Sequence, residues 1–102
     1  MAIFESESAE FEAVFAEESA MVDASEIIAG ALERSGMTRT ELAAVLGVSK
    51  SEITARLAGE RNITVRNLAK TLHALGATLE LNVSYGDNAT GLRPTVSTEG
   101  AA

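Results

Sequence analysis

The sequence predicts an all-α domain completed by a single C-terminal β-strand. Three observations carry that prediction. Apolar residues recur at the three- and four-residue spacing of helices from Phe11 to Leu75; the runs open on Ser, Thr or Asp and most close on Gly; and after Gly76 the spacing changes to strict alternation. With 102 residues, 46% of them hydrophobic, the chain supports one small core and is too short for a multidomain enzyme.

Between Ser8 and Met21, the residues Phe11, Val14, Phe15 and Glu18 fall at helical spacing, which predicts a short, acidic, amphipathic helix within a segment spanning 1–23. The pattern restarts at Asp23 and Ala24. There Asp23 or Ser25 is expected to cap a second helix carrying Ile27, Ile28, Ala31 and Leu32 and ending at Gly36. Thr38 with Glu41 reads as a capping box, followed by Leu42, Ala43, Val45 and Leu46 before Gly47. A second box, Ser49 with Glu52, opens a helix in which Ile53 and Leu57 lie one turn apart, closing at Gly59. Thr64 caps a last helix with Val65, Leu68, Ala69, Leu72 and Leu75 on one face, stopped by Gly76. The helical domain therefore spans 24–76.

Over 77–85, Ala77, Leu79, Leu81, Val83 and Tyr85 alternate with Thr78, Glu80, Asn82 and Ser84, the repeat of a half-buried strand. No other segment of the chain reads as a strand that could pair with it, so its open edge suits a second copy or another protein. The expectation is a homodimer sharing the face of Leu79, Leu81 and Val83. Residues 86–102 have no periodicity and read as a flexible tail.

Two short capped helices joined at Gly47 form a helix-turn-helix, whose second helix enters the major groove of double-stranded DNA. Ala43 is small where the helices cross, Gly47 permits a positive φ, and Leu42, Leu46, Val48, Ile53 and Leu57 hold the angle. Lys50, Ser51, Glu52, Thr54 and Ala55 then point outward as base-reading candidates. Lys50 suits guanine, Glu52 the N4 amine of cytosine, and Ala55 a thymine methyl.

Charge is partitioned. Fifteen acidic and eight basic residues give −7 overall, which by itself disfavours a general polyanion binder. Residues 1–35 hold nine acidic side chains against Arg34 alone, a net −8; residues 36–76 hold six basic against three acidic, a net +3; residues 77–102 carry −2. Zero cysteines exclude disulfides and thiolate metal sites, and a single histidine, His73, leaves no His cluster, so neither a metal nor a cofactor is expected. With no nucleophile beside a base and no phosphate loop, an enzyme is not expected. The start has neither the basic region nor the apolar stretch of a signal peptide, and a cytoplasmic, non-membrane protein is expected.

The run GMTRTELAAVLGVSKSEITARLAGERNITVRNLAKTLHALG, residues 36–76, resembles the Xre family of DNA-binding domains with the lambda-repressor-like fold. Within it the string is most similar to HigA-type antitoxins. The resemblance implies a dimer on a palindromic operator, acting as a transcriptional repressor, and a basic toxin of the RelE-like type as second partner. It implies that Arg39 occupies a phosphate-contacting position and that Asn62 and Thr64 lie in a loop along the DNA backbone; Thr40, Ser49 and Arg61 complete the expected phosphate-contacting set. Arg56 departs from the family pattern, which has an aliphatic residue there. Either its stem packs while its guanidinium reaches out, or the helix end sits differently. Phe11 and Phe15 have two readings, packing against the next helix or forming the apolar centre of a partner-binding face. Two other functions remain open: a phage or plasmid regulator with no toxin partner, and an interaction protein that does not touch DNA.

Overall fold

Four helices make up the fold in a computed structural model, which describes residues 2–86 and the side chains from residue 8 onward: α1 (Ala2–Ser35), α2 (Arg39–Leu46), α3 (Lys50–Leu57) and α4 (Val65–Ala74). Their ends follow local chemistry. The Thr38 hydroxyl accepts from the Glu41 amide while the Glu41 carboxylate accepts from the Thr38 amide, a complete capping box. The Ser49 and Thr64 hydroxyls accept from the Glu52 and Asn67 amides and so cap α3 and α4. Gly47, at φ 71°, closes α2 in the left-handed region.

The core is one cluster: Ile28 from α1, Leu42 and Ala43 from α2, Ile53 from α3, and Leu68, Leu72 and Leu75 at α4, all buried. The second half of α1 lies against α3 and α4, and α2 lies against the same two helices. Met37, Leu46, Val48, Leu57 and Leu79 pack around the cluster. Fully burying an isoleucine or leucine side chain is worth about 1.5–3 kcal/mol, so the six buried here are a large favourable contribution in so small a unit.

Several expectations are corrected. The two N-terminal helices are one: α1 runs through Asp23 and Ser25 without interruption. No glycine or proline separates the two apolar patterns, and Ser25, instead of capping, is buried and donates its hydroxyl back to the Val22 carbonyl at 2.7 Å, a bond a helix interior tolerates. Phe11 and Phe15 do not pack on the next helix; they stack near one another, centroids 6.3 Å apart, and are 68% and 62% exposed. Val45, Val65 and Ala69 face outward as well, and the buried face of α4 includes Thr71 instead.

The C-terminal strand is also absent among the described residues: 77–86 carries no regular structure. A strand exists only through its ladder, and the described residues hold no second segment to supply one. Alternation survives in part, since Ala77 and Leu79 are half-buried between exposed neighbours, but Leu81, Val83 and Tyr85 are exposed. The expected tail lies largely at 87–102, outside the described residues.

Gly47 and Gly59 separate two costs of a side chain. Both have positive φ, but a Cβ on Gly47 meets nothing within 4 Å, whereas one on Gly59 lies 3.3 Å from the hydroxyl oxygen of Ser25, which its bond to Val22 holds in place. Gly47→Ala should cost about 1–2 kcal/mol of left-handed strain alone. Gly59→Ala should cost more, a ranking that urea denaturation followed by circular dichroism checks.

Candidate nucleic-acid interface

On α3, Ile53 and Arg56 are buried while Lys50, Ser51 and Thr54 are exposed. The exposed three stand at i, i+1 and i+4, which is one face of a helix. Ala55 is half-buried at the edge of that face. Arg39, at the start of α2, reaches the same surface, with a guanidinium nitrogen 3.5 Å from the Thr54 hydroxyl. Thr40, Ser49, Asn62 and Thr64 are exposed as well, and Asn62 lines a cavity together with Arg61 and with Glu17 and Asp23 of α1. The Ser49 and Ser51 hydroxyls lie 3.1 Å apart, and a capping hydroxyl that accepts from an amide keeps its own proton to donate. Arg39, Lys50, Arg61, Arg66 and Lys70 are all exposed on this part of the chain. Arg66, in the first turn of α4, is exposed and was not among the expected contacts; the basic count of 36–76 contains it without locating it.

Glu52, another base-reading candidate, is half-buried and bonded at both carboxylate oxygens. The Arg56 Nε–H donates to Glu52 Oε2 at 2.8 Å, and an Arg61 Nη–H donates to Glu52 Oε1 at 2.9 Å. The second capping box is therefore half formed: Ser49 caps α3, but the Glu52 carboxylate turns to the two arginines. Arg56 does not extend its guanidinium outward, the first of its two expected forms. It is 7% exposed overall, and its guanidinium turns inward to donate to the Thr71 hydroxyl at 2.8 Å; Thr71 in turn donates to the Asn67 carbonyl at 2.7 Å. Its spacing from Glu52, four residues along one helix, was a readable sign of this pair. The contact with Thr71, fifteen residues away, was not.

Arg56 hydrogen bonding is the largest influence on the Glu52 carboxyl and, with the charge of Arg61 beside it, holds its pKa below the ordinary 4.5 against the opposing effect of desolvation. Among the described residues no three His, Cys, Asp or Glu side chains converge as metal ligands, and no helix is long and apolar enough to cross a membrane.

The α2–Gly47–α3 geometry, with its capped helix starts and outward face of Lys50, Ser51 and Thr54, defines a helix-turn-helix. The profile of the helix-turn-helix family HTH_3 matches residues 28–82, more than half of the chain, which belongs to that family, of the Xre and lambda-repressor-like type. It is thus a DNA-binding transcriptional regulator. No curated protein and no solved structure matches it.

The lowered pKa of Glu52 has a signed consequence for stability. The unfolded chain takes up the proton at higher pH than the fold does, so the contribution of Glu52 is complete above about pH 4.5 and is lost as pH falls from there through its lowered value. Thermal melts between pH 6 and pH 3 should show the difference in melting temperature between the native chain and Glu52→Gln shrinking as the medium is acidified.

Proposed function

We propose that the chain is a homodimeric repressor of its own promoter and the antitoxin of a type II toxin-antitoxin pair. The observation that carries the DNA-reading half is the outward face of α3, where Lys50, Ser51 and Thr54 are exposed beside Arg39. In this reading α3 lies in the major groove, with Lys50 on guanine, Ala55 against a thymine methyl at the edge, and Arg39, Thr40, Ser49, Asn62 and Thr64 along the phosphates. Two such helices on one duplex require a two-fold dimer and half-sites about 34 Å apart or a multiple of it. The segment after Gly76 suits that role, because Leu81, Val83 and Tyr85 are exposed and two copies would supply each other's ladder.

The toxin-binding half rests on α1. Residues 8–18 are exposed on every side, and Phe11, Val14 and Phe15 form an apolar stripe among carboxylates. Two copies of a segment at −8 repel, so a basic partner fits this stripe better than a second copy does.

Two measurements test the halves separately. Arg39→Ala should weaken binding to all duplexes alike and flatten the salt dependence by about one unit, as loss of a phosphate contact does; a change of base preference in salt-titrated binding assays would remove Arg39 from that role. The pair Phe11→Ser and Phe15→Ser should leave melting temperature and DNA affinity intact while abolishing co-purification with the product of an adjacent toxin gene. Retained co-purification would exclude the stripe as the toxin site.

A further inference from the structure

We propose that Glu52 is a positioning residue, holding Arg61 as a preorganised phosphate clamp in register with α3. This rests on the DNA-reading role given to α3 above. Both ion pairs of the described residues end on Glu52, although acidic side chains far outnumber basic ones in the chain. Each carboxylate oxygen already accepts a charge-assisted bond, one from Arg56 and one from Arg61. A cytosine amine would have to share one of these oxygens with an arginine, and the ionised donors are the stronger partners.

The back of the assembly is fixed. Arg56 is buried and tied through Thr71 to the Asn67 carbonyl of α4, so Glu52 is held from the side facing away from solvent. Its front is adaptable. The Arg61 side chain is 50% exposed and spends one N–H on Glu52, which leaves most of its five donors for a ligand. Arg61 sits in the connection between α3 and α4, where no helix restrains it. Without Glu52 that long side chain would lose its rotamer freedom only on binding, at a cost in affinity. Within the trio of Glu52, Arg56 and Arg61 the charges sum to one positive, so Arg56 offsets the carboxylate from behind.

The test is a double-mutant cycle in the full chain, using the duplex that the native protein selects from random sequence and a random-sequence duplex as reference. Arg61→Gln should weaken binding to the selected duplex about tenfold and flatten its salt dependence by about one unit. Glu52→Gln should lose a similar factor on the selected duplex, with base preference unchanged at every position and no loss on random duplex, since a negative charge has been removed. The double variant should bind no more weakly than Arg61→Gln alone. Arg61→Lys, confined to an exposed side chain, keeps the fold and the charge without the planar fork and should also lose affinity. Additive losses, a changed preference at one half-site position in Glu52→Gln, or native affinity in Arg61→Lys would each overturn the inference alone. A native chain that selects no duplex would overturn the DNA-reading role and this inference with it.

Discussion

The burial of Ile53 and Arg56 on one side of α3 is the constraint on which the DNA-facing surface depends. α3 has eight residues, too few to be stable as an isolated helix, so its existence and orientation both come from packing. Ile53 enters the apolar cluster and Arg56, three residues on, bonds to Thr71 of α4. Two attachments nearly one turn apart prevent rotation about the helix axis, which leaves Lys50, Ser51 and Thr54 no position but outward. The ionic attachment is a weaker stabiliser than the aliphatic one, because burying a guanidinium costs much of what its partners return. Its particular contribution is directional: hydrogen bonds specify an angle that apolar contact does not.

α1 joins two environments in one helix. Its second half is part of the core through Ile28, and its first half stands clear of it. At 1.5 Å per residue a 34-residue helix is about 51 Å long, well beyond what this core can cover. The free half needs no nucleus of its own, because it propagates from turns already held by packing. Continuity thus carries an acidic, aromatic-bearing segment away from the basic face of the domain. Nearer the core the two signs of charge meet, since Glu17 and Asp23 of α1 line one cavity with Arg61.

The helix-turn-helix was legible in the sequence because its determinants are local. Thr38 with Glu41, Ser49 before Glu52, the glycine at position 47 and the alternation of apolar and polar residues in between each act within one or two turns, so spacing alone reveals them. Capped starts, helix ends and the identity of Leu42, Ala43, Ile53, Leu68, Leu72 and Leu75 as core all followed from that.

Other features depended on tertiary structure. Whether Asp23 and Ser25 begin a helix or lie inside one is decided by whether the preceding turns continue, and both outcomes share the same apolar spacing. Whether Phe11 and Phe15 are buried depends on what lies opposite them, and nothing in the described chain does. The segment after Gly76 has the periodicity of a strand, but a ladder is a property of two segments and periodicity describes one. Glu52 looked like a cap and a base reader because both roles are local; the arginines that claim its two oxygens come from the next turn of α3 and from the loop beyond it, with Thr71 behind them. Local patterns therefore made the helix boundaries and the polar residues of α3 legible, while tertiary contacts fixed how α3 is turned and which of those side chains are already engaged, since a hydrogen bond made within the fold occupies a donor or acceptor that composition and spacing count as available.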